Sequence, residues 1–404
     1  MVFGSRIRGL VLVLGLGLSL LGAPHARPAA DPTPPSRARP NVVLVTIDTL
    51  RADHCGTYGY ERPTTPRLDA LAARGAVFDA AYAVSATTLP SAATILTSLP
   101  PNEHGVMKNG WVLPERVDTM AEILASHGYD TAAFVSSFVL ERRFGTAQGF
   151  AAYDDDFTGA DASSRIRNWE GHDLTAPYDR RGHQTADRAI AWLKTRQSHA
   201  PFFLWLHWFD PHSPYDPPQP YRDRFARPDA ASQKDRWIDL YDGDVRFADE
   251  QLGRVLAALD AVAPAERTLT VVVGDHGEGL LDHGWLEHGV HLYEEAVRVP
   301  LVVHWPGRIR PQRVPHPVGL VDVLPTLLGL VELPTHAALR GTDLAPILRG
   351  ETPADPERAV FMQRRLYRGA MHKGVRVAGP KWAVRWRNWK LIYASLDDVA
   401  ELYD

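Results

Sequence analysis

An α/β fold is what this chain predicts: a sandwich around a mostly parallel central sheet, with a small C-terminal α+β lobe. Three observations point there. Short apolar runs alternate with helical patterns through most of the 404 residues. The runs are apolar on both faces, as strands of a sheet covered on both sides are. From about Glu351 the alternation stops, and short aromatic and basic runs replace it as antiparallel strands would.

The N-terminus lies outside that pattern. Arg6 and Arg8 precede an apolar stretch from Gly9 to Ala23, and small residues with Pro follow. Residues 1–30 read as a secretory signal peptide, short for a membrane span; an uncleaved anchor is the other reading. Gly15-Leu16-Gly17 lies inside this apolar stretch with no strand before it, so it is no nucleotide loop. Residues 31–40 form a Pro-rich tether. The protein is therefore expected to be secreted or periplasmic.

The catalytic domain is expected over 41–350. Its strand-like runs are Asn41–Ile47, Thr131–Ser136, Pro201–Trp208, Leu269–Gly274 and Val299–Trp305. Helical patterns fall at Pro66–Arg74, Ser91–Thr97, Thr119–His127, Gln184–Thr195, Leu240–Leu259 and Val318–Leu330. Pro211–Pro220 reads as a rigid loop. The subdomain 351–404 ends at Glu401-Leu402-Tyr403-Asp404 without a turn or cap, an end that reads as incomplete.

A formal net charge of -4 and the lack of a long basic run argue against a nucleic-acid or anionic-membrane partner. The lone Cys55 excludes an internal disulfide framework.

In such sheets ligands sit at the carboxyl ends of strands, and Asp48 and Asp275 both fall there. Asp275-His276 offers a hard oxygen beside a borderline nitrogen, a mix that suits Zn²⁺ or Mn²⁺. The flanking Gly274 and Gly277 supply the irregular turn that would let both reach one ion. A structural Asp-His pair and a capping Asp48 are the plain alternatives. Thr88 precedes Leu89-Pro90-Ser91, where Pro90 suits a first helical turn, so the positive helix end would face its hydroxyl. A dication on Asp48, Asp275 and His276 could take Thr88 as fourth ligand and favour its alkoxide; equally, Thr87 or Thr88 could simply cap the helix. His212 begins the Pro-rich loop, and His288 lies in a loop after the Asp-His pair, both as anion contacts or proton donors. His207 and Asp210 stand as supporting groups, with His207 equally a buried strand residue. Arg51 either adds positive charge to the site or pairs with Asp53.

The ordered segments Val45-Thr46-Ile47-Asp48-Thr49-Leu50-Arg51, Thr88-Leu89-Pro90-Ser91, Phe202–Tyr215, Gly274-Asp275-His276-Gly277-Glu278, Arg298-Val299-Pro300 and Trp389-Lys390-Leu391 resemble the sulfatase family of the alkaline phosphatase superfamily. The resemblance runs from about Asn41 to the end. It implies an alkaline-phosphatase-like sandwich and a metal-dependent hydrolase cleaving sulfate or phosphate (di)esters.

The departures shape the expectation. The family's formylglycine precursor is Cys or Ser, here Thr88; its Arg position is Ala92, and its paired Asp-Asp is Asp48-Thr49. Threonine cannot give an aldehyde, because its Cβ carries a methyl. No formylglycine is expected, and a covalent Thr88 intermediate replaces it, as in the superfamily's phospho-threonine enzymes. One divalent ion, Mn, Zn, Mg or Ca, is implied. A phosphoethanolamine- or glycerophosphate-type transferase, and a catalytically degenerate glycan- or lipid-binding member, are the alternatives. The implied partner is a small-molecule, glycan or lipid-headgroup ester. Oligomeric state is left open.

Overall fold

The computed structural model describes residues 39–404, apart from Glu170, Gly171, His336 and Arg368. The expected signal peptide and nearly all of the tether lie outside the described residues. Among the described residues no helix is long and apolar enough to cross a membrane.

Eight strands make the central sheet: β1 (Asn41–Ile47), β2 (Ala76–Phe78), β3 (Asp130–Val135), β4 (Ala152–Asp154), β5 (Phe202–Trp208), β6 (Thr268–Gly274), β7 (Leu301–His304) and β8 (Gln312–Val314). Their spatial order is β8-β2-β7-β6-β1-β5-β3-β4. β1 lies between β5 and β6 and runs parallel to both. Only β7 opposes its neighbours, so the sheet is mostly parallel, as expected.

The longer helices are α1 (Pro66–Ala72), α2 (Thr88–Thr97), α3 (Met120–Ser126), α4 (Gly182–Thr195), α5 (Gln233–Val262) and α6 (Val323–Leu330). Alternate side chains of β1 enter two different cores. Val42 and Leu44 pack with Leu89 of α2, Met120 of α3 and Leu324 of α6. Val43, Val45 and Ile47 pack with Leu68 of α1, Ala186 of α4 and Tyr241 of α5. That is why the strand reads as an unbroken apolar run: each face of the sheet meets helices.

Three expectations shift. The run Val299–Trp305 is split at Pro300, which has no N–H for a ladder. Arg298 and Val299 pair with Tyr82 and Ala81 in a small separate sheet, while Leu301–His304 joins the main one. α5 starts at Gln233 rather than Leu240, because Ser232 and Asp235 form a capping box there. Val318 and Gly319 are strand, paired with Ala81 and Tyr82, and α6 begins only at Val323.

The C-terminal lobe is an antiparallel sheet of β9 (Ala359–Gln363), β10 (Lys381–Trp386), β11 (Trp389–Ala394) and β12 (Val399–Tyr403), in that order. Beyond residue 351 no helix occurs among the described residues, so this lobe is β rather than α+β. Its inner residues Val360, Met362, Ala383 and Ile392 pack on Tyr82, Ala296 and Val297. Residues 39–404 form one compact unit, so the boundary at 350/351 marks a change of sheet and not a break between bodies.

Candidate active site

Strand register builds the centre of the site. Ile47 is level with Gly274, so Asp48 and Asp275 leave β1 and β6 side by side. The ladder continues past the strand ends: Asp48 N–H donates to Trp208 O at 2.9 Å, and Asp275 N–H to Ile47 O at 3.2 Å. Thr46 is level with His207 of β5. Side chains alternate along a strand, so Asp48, His207 and Asp275 fall on the face shared by Leu44, Trp205 and Val273, where α2 packs. The chain does become irregular after Gly274, but neither Gly274 nor Gly277 takes a positive φ there. Close packing explains them instead: a Cβ on Gly277 would stand 1.9 Å from Glu295 O.

α2 begins at Thr88, three residues before the expected start, with Thr87 preceding it. Neither threonine side chain caps the helix. Thr87 Oγ1 is buried without a partner. Thr88 Oγ1 lies 3.3 Å from His276 Nε2 and 3.4 and 3.5 Å from the oxygens of Asp48. Ser91 Oγ donates to Asp275 O at 2.5 Å, tying the helix start to the end of β6. Leu89 N–H donates to Asn109 Oδ1 at 2.9 Å.

Asp48, His207 and Asp275 offer ligand atoms within 4.8 Å of one another, all buried. His207 Nε2 stands 3.8 Å from Asp48 Oδ2 and 3.9 Å from Asp275 Oδ2. Neither nitrogen of His207 has a hydrogen-bond partner, nor does Asp275 Oδ2. Buried polar atoms are rarely left so, and these three donors fit a dication. Charge says the same. Burial and the facing Asp275 push the Asp48 carboxyl well above its ordinary range. Burial acts on Asp275 too, but His276 and His207 outweigh it and hold that carboxyl low. A cation between the two would relieve the conflict.

Of the expected ligands, Asp48 and Asp275 belong to this cluster, and His276 and Thr88 stand beside it. His207 completes the cluster, a role its strand-like surroundings hid. His276 Nε2 borders the cluster, 3.4 Å from Asp48 Oδ1, while its Nδ1 faces Gly277 O at 2.9 Å.

His276, His288 and His212 form a row of rings, with centroids 4.4 Å apart between the first two and 4.9 Å between the last two. His288 Nδ1 lies 3.1 Å from Glu278 Oε1, and His212 stacks on Phe209 at 4.2 Å. Burial pushes all three rings down to about 4, so they are neutral near pH 7. Burial pushes Glu278 up to about 7. Beside this row opens a cavity of about 870 Å³, lined by His212, His288 and Asn109 and by Arg365 from the segment after β9.

Arg51 does not reach this cavity. Its guanidinium binds Asp53 at 2.6 and 2.9 Å and Asp282 at 2.7 Å, so the pairing alternative holds and the anion contact does not. Asp210 is likewise engaged elsewhere: its Oδ2 accepts Gly182 N–H at 2.7 Å, at the start of α4. Asn109, Glu278 and Arg365 carried no role in the sequence. Glu278 was visible within the Asp-His segment; Asn109 and Arg365 reach the cavity only through tertiary packing.

Comparison with known proteins agrees with this architecture. The family model described as sulfatase matches residues 40–333, and one described as N-sulphoglucosamine sulphohydrolase, C-terminal, matches residues 281–404. An arylsulfatase of Clostridium perfringens is 26% identical, covering 77% of this chain and 78% of its own. A steryl-sulfatase of Mus musculus is 27% identical, covering 90% and 73%. A structure solved with its substrate D-glucosamine-2-N,6-O-disulfate superposes with a TM-score of 0.75 at 22% identity, covering 91% of each chain. The phosphonate monoester hydrolase of Agrobacterium radiobacter gives 0.73 at 23% identity, covering 91% and 89%. These two structural likenesses concern the fold. The chain belongs to the sulfatase family.

Proposed function

We propose that this enzyme is a secreted or periplasmic, metal-dependent hydrolase that cleaves sulfate or phosphate (di)esters through a covalent Thr88 intermediate. The hydrolase class comes with the family. The observation that carries the rest is the position of Thr88: a hydroxyl at the first residue of α2, between Asp48 and His276.

Asp48, His207 and Asp275 would hold the divalent ion, with His276 beside them. When bound, the ion supplies Lewis-acid charge that lowers the hydroxyl pKa and neutralises the transferred group. Thr88 Oγ1 attacks sulfur or phosphorus, and its proton passes to Asp48 or His276, the bases in reach. In the first turn of α2 the Leu89 N–H is taken by Asn109 Oδ1 and the Ser91 N–H by Thr87 O, and Pro90 has none, so the Thr88 N–H is the amide left for the developing charge. The bond from sulfur or phosphorus to the leaving oxygen breaks. His288 gives that oxygen its ring N–H proton and regains one at Nδ1 from Glu278, whose carboxyl is pushed up to about 7 and lies 3.1 Å away, while His212 contacts the anion. Water then attacks the Thr88 ester and frees sulfate or phosphate. The amide nitrogen of Asn109, whose oxygen is engaged by Leu89, is free to contact the transferred group.

The methyl on Cβ of Thr88 rules out the aldehyde route, so no formylglycine is needed. The named relatives act on sulfate esters, and a phosphonate hydrolase shares the fold, so both ester classes belong in the assay.

Acid-quenched turnover of an aryl sulfate and an aryl phosphate, followed by intact and peptide mass analysis, is the test. The expected result is a sulfuryl or phosphoryl adduct on Thr88. Full activity of Thr88→Ala on both esters, with no adduct in the wild type, would refute the assignment. Product analysis with an added acceptor alcohol separates hydrolysis from transfer.

A further inference from the structure

Most arginines around the site are held by carboxylates, as Arg51, Arg62, Arg180 and Arg181 are. Two that line the cavity are not. Among the described residues no carboxylate pairs with Arg365 or with Arg165. The other charged side chains of that wall, Lys373 and Glu287, bind each other at 2.6 Å and cancel. Among the described residues the cavity wall therefore keeps two guanidinium groups with no carboxylate partner, Arg165 exposed and Arg365 half-buried, in a protein whose formal net charge is -4.

Arg365 is also held in place. Its guanidinium carbon lies 4.4 Å over the ring of Tyr367. Its stem runs along Gly289, where an added Cβ would meet Arg365 Cδ and Nε, and also Thr87 Oγ1, each at 3.4 Å. Gly289 follows His288, and Thr87 precedes Thr88. The C-terminal lobe thus delivers a stacked guanidinium beside the reacting end of the cavity. The lining also includes the aromatic rings of Trp169, Tyr178 and Trp237. A space of about 870 Å³ holds far more than one sulfate or phosphate group.

We infer that the cavity receives an organic group, flat enough to lie against aromatic rings, that carries a second negative charge of its own, and that Arg365 reads this charge. Arg365 is then a specificity residue supplied by the C-terminal lobe, and the substrate class is an ester bearing a further carboxylate, sulfate or phosphate. Guanidinium favours such groups because it forms two charge-assisted hydrogen bonds to them at once. This inference rests on the proposed location of the reaction, but its test does not require turnover.

Binding is measured by calorimetry on Thr88→Ala protein loaded with divalent ion, using phenyl and 4-carboxyphenyl sulfate and the matching phosphates. The carboxylated member of a pair should bind about tenfold more tightly. In Thr88→Ala/Arg365→Gln that ratio should fall to about one, and Arg365→Lys in the same background should restore part of it. Equal affinities for both members in the parent protein would overturn the inference, as would an Arg365→Gln loss that strikes both equally. If Thr88→Ala still turns the esters over, the nucleophile assignment fails, while the carboxylate preference and its dependence on Arg365 are read from the same titrations.

Discussion

Asp48 and Asp275 leave adjacent parallel strands and stay hydrogen-bonded to them, whereas His288, Arg365 and Lys373 reach the site from loops and from the C-terminal lobe. The two ends differ in solvent as well as in support. Asp48, His207, Asp275 and His276 are fully buried, while Lys373 is exposed and Glu287 half-buried. At the strand ends, electrostatics act in low dielectric and positions are fixed by register. At the cavity wall, charges are screened and positions depend on how the lobe docks. On the proposed mechanism the nucleophile and its metal belong at the first end, and leaving-group protonation and selectivity at the second.

The sharpest way to break this contrast is to remove one group from each end. Thr88→Ala should lower kcat by about a thousandfold or more, as loss of a nucleophile does. His288→Ala should cost on the order of a hundredfold, in line with one proton donor. The His288 defect should also grow as the leaving phenol becomes more basic, because a better leaving group needs less protonation. Steady-state kinetics on a series of substituted phenyl esters measures both. Equal losses from the two variants, independent of the leaving group, would erase the distinction.

His207 sharpens the same point through the metal. Removing its imidazole leaves two carboxylates facing each other with a ligand gone. His207→Ala should weaken divalent-ion affinity about a hundredfold, whereas Arg365→Gln should not change it. Titration calorimetry with Zn²⁺ or Mn²⁺ on chelator-treated protein measures this. Adding the ion to wild type should also raise the melting temperature, since at a hundred times Kd binding stabilises by about 2.7 kcal/mol. An unchanged affinity in His207→Ala would return the ligand set to Asp48, Asp275, His276 and Thr88.

How much of this could be read from the sequence follows the same division. The strand ends could, because β1, β5 and β6 are long apolar runs and an Asp follows two of them. His207 could be read from the sequence only as a supporting group or a buried strand residue, not as a candidate ligand. The run Phe202–Trp208 alternates, and counting by twos puts His207 with Phe203 and Trp205, one step below Asp48 once β1 and β5 pair at Thr46. Its apolar neighbours made it look like packing. Arg51 erred the other way: a positive residue three positions after Asp48 suggested an anion contact, but its partners are Asp53 and Asp282, the latter more than two hundred residues away. Arg365 was beyond reach, since nothing local ties a residue after β9 to a helix start near residue 88. The apolar continuity of Val318–Leu330 hid a strand, because periodicity cannot separate a short buried strand from a buried helix.

Away from the site, α1 and α5 offer a pH test of the burial argument. Asp249 of α5 accepts N–H bonds from Arg67 and Leu68, the latter at 2.8 Å, and so docks the start of α1. Burial pushes its carboxyl from 3.8 up to about 7. Across that interval the native state holds a proton that the unfolded chain has released. Stability contributed by Asp249 is therefore full at acid pH and falls as pH rises toward about 7. Denaturant unfolding of wild type and Asp249→Asn at several pH values checks it. The variant, which cannot ionise, should lose this slope, at a cost of about 1 kcal/mol for the weaker acceptor.

The smallest effect is expected at the ion pair of the wall. Lys373 and Glu287 meet at 2.6 Å, but the ammonium is exposed and the carboxylate only half-buried, so Lys373→Ala should change stability by no more than about 1 kcal/mol. Its consequence is electrostatic instead. With Lys373 gone, Glu287 is uncompensated and opposes the positive charge of Arg365 and Arg165 across the cavity. KM for a carboxylated ester should rise about threefold at low salt, and the rise should vanish near 0.5 M salt, where the Debye length is only a few ångströms. The charge reversal Glu287→Lys should lower the same KM at low salt. A KM increase in Lys373→Ala that survives high salt would mean that the ammonium touches the substrate directly, moving selectivity from the guanidinium of Arg365 to the rim.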